Sequence, residues 1–518
     1  MMENRKMIRS AGVVGGFTML SRIMGFIRDI IFARLFGTGM AMEAFVVAFK
    51  IPNLLRDLAG EGAANAAVVP VLSEYLLKHK RAEFWRLVNV VFNIFVIVLA
   101  ILAFLGVILA PLFVRIIAFG FVANPAKLTL TVQLTRILFP FIFFIGLTAY
   151  AMAILNTFKH FILPAFGPVI LNICIILFGL FVCPRLASPI FGIATAVLIG
   201  GVLQLLMQLP VLYKKGWRIA KTFELYHPAA KRIGMLLVPR MVGASIYQVN
   251  ILINTMLASL STVVGAGAVA ALYFANRMIQ LPFAIFGLAI ATVSLPTMSD
   301  QAAVKEINEL KNTTIFALKV IFALVLPSAT GLMVLAGPII KTVFEHGQFS
   351  AYSTAISAQA LFFYCFGLVS YGSSRVLASC FYALQDTKTP VKFSAWALLV
   401  NIILGIVLMW PLKIGGLALA TSISATLNVS LLYQRLNRRL GGFIHKDILF
   451  FALKIIFASA IMGVVAYIFY HRILTIDFLV MRLGLVIGMA IVVYFAVCRL
   501  LGIREVSEGI KCFLIKRP

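Results

Sequence analysis

Long apolar runs alternate with short polar breaks along the whole chain. Read between charged or Gly/Pro-rich breaks, about 14 runs emerge, near 11–36, 42–76, 87–118, 128–156, 161–183, 189–213, 231–260, 266–298, 313–337, 353–384, 391–411, 415–436, 448–470 and 480–501. A helix crosses a bilayer with about 20 apolar residues. Water is absent at mid-membrane, so continuous apolar runs of this length span it as helices. These runs are numbered spans 1 to 14 in chain order. The expected class is an all-α polytopic membrane protein.

Composition supports the pattern. Of 518 residues, 62% are hydrophobic and 12% are charged. Soluble proteins run at roughly 45–50% apolar and about 25% charged, so a soluble globular chain and a disordered one are both excluded. The net charge is +28, from 45 Lys+Arg against 17 Asp+Glu. In a soluble protein that excess would point to nucleic acid. In a membrane protein it collects in cytoplasmic loops. Loops after even-numbered spans hold Lys78, Lys80, Arg81, Arg86, Lys214, Lys215, Arg218, Lys221, Arg435, Arg438 and Arg439, among others. The opposite loops hold Lys127, Arg185, Lys341, Lys413 and Arg472. The expectation is a multi-pass protein with both ends in the cytoplasm and no nucleic-acid partner.

The first ten residues are polar and basic, and the apolar stretch after them is interrupted by Arg22 and Arg28. It reads as a retained first helix rather than a cleaved leader. The six cysteines are scattered, with no CxxC pair, and read as small apolar fillers. No phosphate-binding loop, HExxH or GxSxG motif occurs, so nothing reads as an enzyme.

An internal repeat organises the chain. Leu155-Asn156-Thr157-Phe158-Lys159 echoes Leu384-Gln385-Asp386-Thr387-Lys388, and Asn172 follows at the spacing of Asn401. Gly192 to Ala196 parallels Gly416 to Ala420, Gln204 parallels Asn428, and Lys214-Lys215 parallels Arg438-Arg439. Spans 4–6 thus match spans 10–12. Six helices per repeat give parallel repeats around an axis along the membrane normal. The expected division is an N-terminal lobe over 1–222, a C-terminal lobe over 223–440, and two extra helices with a tail over 441–518.

Charges also occur where the apolar pattern should exclude them. Span 1 reads Ser21-Arg22-Ile23-Met24-Gly25-Phe26-Ile27-Arg28-Asp29, and span 2 carries Glu43, Lys50, Arg56, Asp57, Glu61 and Glu74. A charge at mid-bilayer costs about 2.5–3.5 kcal/mol on insertion scales, so these residues face one another or a watery cavity. Arg22 and Asp29 share a helix face with Ser21 and Gly25. Pro52 is expected to interrupt span 2, and Glu74, Asp57 and Lys50 to pair among themselves. In span 8, Tyr273, Arg277 and Gln280 share a polar face beside Asn276. An excess of arginine suits a phosphate-bearing ligand, because guanidinium presents a two-pronged donor fork to phosphate oxygens. The residues alone read as a two-lobed helical transporter with a cationic cavity.

Several motifs together resemble one family. They are Ser21-Arg22-x-x-Gly25-Phe26-x-Arg28-Asp29, Phe49-Lys50-x-Pro52-Asn53-Leu54-Leu55-Arg56, Gly60-Glu61-Gly62-Ala63, Ala275-Asn276-Arg277 with Leu281-Pro282, and Phe381-Tyr382-Ala383-Leu384-x-Asp386-Thr387-x-Thr389-Pro390. The combination resembles the MurJ (MviN) lipid II flippases of the multidrug/oligosaccharidyl-lipid/polysaccharide exporter superfamily. The resemblance implies two six-helix lobes around a central cavity, with spans 13 and 14 as a groove for a lipid tail. It implies alternating-access movement of undecaprenyl-diphosphate-linked disaccharide-peptide across the bacterial cytoplasmic membrane. Arg22, Arg28, Asp29, Arg56 and Arg277 would contact substrate. Glu43, Lys50, Glu61, Asn276 and Gln280 would gate or balance charge. Membrane lipids and cell-wall synthesis proteins are the further partner candidates.

Two departures bear on coupling. Asn276 and Gln280 stand where some members carry acids, and no Asp or Glu occurs between Glu224 and Asp300 or between Lys388 and Lys446. Spans 7 and 11 offer only Asn250, Asn254 and Asn401. No cofactor or metal is expected, a sodium site is doubtful, and the membrane potential or a proton gradient is expected to bias the cycle. Three alternatives stay open: a flippase for another polyprenyl-linked glycan, a small-molecule exporter of the same superfamily, and a scaffold without transport.

Overall fold

A computed structural model describes the backbone at residues 2–56, 63–219, 224–442, 445–474 and 477–503, and side chains there apart from 2–13, 55–56, 63–66, 238–247 and 445–446. No strand occurs among the described residues, and the described parts of all fourteen expected spans are largely helical. Ten helices are long and apolar enough to cross a membrane, and the pair Ala351–Cys365 and Leu368–Ala383, bent by 42°, makes an eleventh. These match spans 3–6 and 8–14. Spans 1, 2 and 7 correspond to Met2–Phe36, to Met40–Arg56 with Ala63–Lys78, and to Pro228–Ala258. The first two hold the intramembrane charges, which lowers their apolar character.

Proline sets several breaks. Span 4 divides at Pro140 into Pro125–Leu138 and Phe141–Thr157. Span 3 ends at Ile108, earlier than expected, and Pro111 opens the short helix Ala110–Ile117. Pro52 does the opposite of what the sequence implies. Helix Met40–Arg56 runs unbroken through it. Proline removes one ladder hydrogen bond, and the neighbouring turns carry the helix on.

The chain divides into two compact units, Met1–Leu260 and Ser261–Pro518. In the first, span 1 packs on span 5, helix Met40–Arg56 on Pro125–Leu138, spans 4 and 5 on span 6, and span 7 on Ala63–Lys78. Hydrophobic burial does not drive helices together in lipid, so close packing at small residues does. Gly200 and Gly201 serve this end: a Cβ there would lie 2.7 Å from Leu171 and 2.8 Å from Phe141. In the second unit, span 11 packs on span 12, span 13 on spans 9 and 14, and the end of span 8 on span 10. The Tyr494 hydroxyl of span 14 donates to the Ala323 carbonyl of span 9 at 2.6 Å.

The repeat is visible in local geometry. Span 4 ends with Lys159 at φ +56°, and span 10 with Gln385 at φ +57°. Both turns close alike: Lys159 N–H donates to Asn156 O and His160 N–H to Leu155 O, while Gln385 N–H donates to Tyr382 O and Asp386 N–H to Phe381 O. This is the helix-ending turn built on one left-handed residue. It pairs Lys159 with Gln385, which corrects the pairing with Lys388 read from the Leu-Asn and Leu-Gln echo. The left-handed position fixes the register of the turn, which differs from that of the side-chain echo. Spans 6 and 12 end on the expected counterparts, Lys215 and Arg439.

Candidate functional site

In span 1, the apolar helix carries a buried ion pair. Arg28 is 9% exposed and Asp29 is 1% exposed. The Arg28 guanidinium donates from Nε and Nη2 to Asp29 Oδ1 at 3.0 and 2.8 Å, and from Nη1 to Asn172 Oδ1 at 3.0 Å. Asn172, on span 5, turns its Nδ2 to the Ser21 carbonyl at 3.1 Å. Gly25 faces this amide: a Cβ there would lie 3.7 Å from Asn172 Nδ2. Burying a guanidinium is costly unless its donors are satisfied, and here Asp29 and Asn172 take three of them. Arg22 is exposed and makes no hydrogen bond or ion pair among the described residues. Arg22 and Asp29 share a face, but Arg22 is exposed while Asp29 is buried.

In span 2, Glu43 pairs with Lys127, both nearly fully buried. Lys127 opens helix Pro125–Leu138, where the Asn124 side chain accepts its backbone N–H at 3.1 Å, and its ammonium lies 3.8 Å from the Phe121 ring centroid. Lys50 donates to the Thr255 hydroxyl of span 7, which corrects the expected pairing with acids. Glu74 binds Lys78 at 3.2 Å and Arg232 at 2.8 Å. The side chain of Arg56 and all of Asp57 and Glu61 lie outside the described residues.

The second unit holds Arg277 on span 8. Its Nη1 donates to Gln280 Oε1 at 3.0 Å, its Nη2 to the Tyr273 hydroxyl at 3.4 Å, and it stands 5.2 Å over the Tyr273 ring. The expected polar face is thus a contact network along one helix. Asn276 is exposed beside it. A π-helical segment, Phe283–Leu288, follows directly after Pro282.

A buried guanidinium fork and a second arginine on a polar helix face suit an anionic ligand. The family model described as lipid II flippase MurJ matches residues 32–486. The chain belongs to the MurJ family. Lipid II flippase MurJ of Burkholderia cenocepacia is 38% identical over 437 residues, covering 84% of each chain. A probable lipid II flippase MurJ of Haemophilus influenzae is 33% identical and covers 94% of this chain and 98% of its own length. A solved lipid II flippase MurJ in an inward-closed conformation superposes with a TM-score of 0.80 at 29% identity, over 94% of this chain and 98% of that one. A multidrug MATE transporter in an inward-facing conformation shares the fold at 15% identity, with a TM-score of 0.66.

Within this MurJ-family chain, three residues of the site carry no functional signal in the sequence. Asn172 reads only as a repeat marker, Lys127 only as an outer-loop charge, and Thr255 as one more small polar residue. The available hint is a lone amide or cation among apolar neighbours. In the region of spans 7 and 11, Asn254 Nδ2 donates to Asn250 Oδ1 at 2.8 Å. Among the described residues, no group of three or more His, Cys, Asp or Glu side chains is placed to hold a metal ion.

Proposed function

We infer that this protein moves lipid II, the undecaprenyl-diphosphate-linked disaccharide-peptide, from the inner to the outer leaflet of the bacterial cytoplasmic membrane by alternating access. The family match over residues 32–486 supports this reading. The observation that carries the chemistry is the buried Arg28 fork with its exposed neighbour Arg22. Arg22 is the first guanidinium a diphosphate meets. Arg28 Nη1 faces an amide rather than a carboxylate, so that edge can pass to a phosphate oxygen by exchanging one charge-assisted hydrogen bond for another. Arg277 donates to Gln280 and Tyr273 of its own helix, and these contacts help to fix its direction.

The basic residues in the loops after even-numbered spans support a topology with both ends in the cytoplasm. Spans 13 and 14 shelter the polyprenyl tail while the diphosphate engages the intramembrane arginines. With carboxamides rather than acids on spans 7 and 11, the membrane potential or a proton gradient biases the cycle rather than sodium. Diphosphate recognition alone would suit other polyprenyl-linked glycans, and the family relationship favours lipid II. The test is complementation of a strain depleted of its own flippase. Restored growth and renewed exposure of labelled lipid II on the outer leaflet are the expected results. Growth arrest at normal protein levels would contradict the assignment.

A further inference from the structure

The repeat makes span 7 the first helix of the second lobe, but the compact units divide after it, at Leu260 and Ser261. The contacts explain why. Among the described residues of the connection from span 6 to span 7, Trp217 and Glu224 are fastened to span 3. Trp217 Nε1 donates to Asn89 Oδ1 at 3.1 Å, Asn93 Nδ2 donates to the Glu224 carbonyl at 3.1 Å, and Arg86 Nε binds Glu224 Oε2 at 2.8 Å. Span 7 itself is held at one end by Arg232 on Glu74 at 2.8 Å, and near the other by Thr255 on Lys50.

The far end of span 7 is also anchored. Ser259 is fully buried, and its hydroxyl accepts the Gly120 N–H at 2.9 Å. A Cβ at Gly120 would lie 2.2 Å from the Ser259 carbonyl oxygen, so backbone packs directly on backbone there. The second unit takes hold a few residues later. The Tyr352 hydroxyl donates to the Ala266 carbonyl at 3.0 Å. Between the two anchors, Gly265 and Gly267 stand at φ +95° and +80°. L side chains rarely adopt such backbone angles, and glycine passes through them freely. Hinges are a few loop or element-terminal residues that absorb such backbone changes.

We propose that the pivot between the two halves is the segment Leu260–Gly267 on the outer side, and that the span 6–7 connection is a fixed strap that makes span 7 travel with the first lobe. The inference rests on the transport reading above and adds where the chain bends.

The test uses the full chain with its six native cysteines replaced and an unchanged melting profile, closed by a short thiol-to-thiol reagent that reductant removes. Bridging Leu260→Cys to Ala266→Cys should stop lipid II movement until reduction. Bridging Glu74→Cys to Arg232→Cys should leave it intact. A block by the second bridge, or free transport with the first, would overturn the proposal. Spin-label distances test the pivot independently of transport. The pair Leu105→Cys and Leu236→Cys, both within the first unit, should hold one distance. The pair Leu236→Cys and Leu281→Cys, across the segment, should show two populations. The reverse pattern overturns the pivot. Failure of every form, bridged or reduced, to move lipid II would instead sink the transport reading.

Discussion

Arg28 and Arg277 are two intramembrane guanidiniums held in opposite ways. Arg28 is buried in the first unit and tied to a carboxylate and to an amide 144 residues away. Arg277 is held along its own helix by residues three and four positions away, an amide and a phenol. The first arrangement couples the charge to the packing of span 1 on span 5. The second sets direction within one helix. The difference teaches that the first unit's charges make cross-helix contacts, whereas the contacts of Arg277 with Gln280 and Tyr273 run along its own helix. Substitutions in the first should therefore cost stability, and those in the second should mainly alter function.

The strongest way to break that comparison is Lys127→Met, which removes the buried ammonium from Glu43. Removing one partner of a buried pair costs about 3–5 kcal/mol, and thermal unfolding of the purified protein should show it. The double change Glu43→Leu with Lys127→Met should recover most of the loss. Gln280→Leu on the Arg277 helix removes one charge-assisted hydrogen bond, worth about 1.5–3 kcal/mol, and should shift the midpoint less. Equal shifts would erase the distinction between the units.

Asn172→Asp sharpens it further. A carboxylate keeps an acceptor for Arg28 but neutralises the edge proposed to meet phosphate. Expression and melting should stay closer to wild type than in Asn172→Leu, while complementation should fall further than in Asn172→Ala. If Asn172→Asp supported growth better than Asn172→Ala, the amide would be structural only.

The smallest effect compares the two repeated turns. In the second unit, the Asp386 carboxyl is held below the usual 3.8, first by the Thr389 backbone N–H, then by the Thr389 hydroxyl and Arg439, against an opposing push from burial. In the first unit, burial and then Lys215 lower His160 below 6.5. Both groups have folded values below their unfolded ones. Each therefore contributes stability that is present above its unfolded value and lost as pH falls through its folded value. On acidification, hydrogen exchange corrected for its intrinsic rate should rise first at 157–162, below pH 6.5, and at 384–389 only below pH 3.8. The opposite order would refute the assignment.

Much of the fold was legible because lipid enforces a simple rule. Apolar runs of spanning length must be helices, and spans 3–6 and 8–14 follow directly. The Arg277 network was legible for a similar reason, since Tyr273, Arg277 and Gln280 lie within one helical face. The Arg28–Asn172 and Glu43–Lys127 contacts were not, because they join residues 144 and 84 positions apart. Helical periodicity carries no information about which helix will be the neighbour. The continuity at Pro52 and the register of the repeated turn were hidden too. One depends on neighbouring turns tolerating a lost bond, and the other on a backbone angle that Lys159 and Gln385 share without sharing a side chain.

The central claim is that arginines inside the membrane carry a lipid-linked diphosphate across it. The most direct measurement is outer-leaflet accessibility of labelled lipid II in flippase-depleted cells supplied with this protein or with its Arg22→Ala/Arg28→Ala/Arg277→Ala variant at matched levels. The predicted result is accessible lipid II with the first and its retention in the inner leaflet with the second. Equal accessibility in both would contradict the claim.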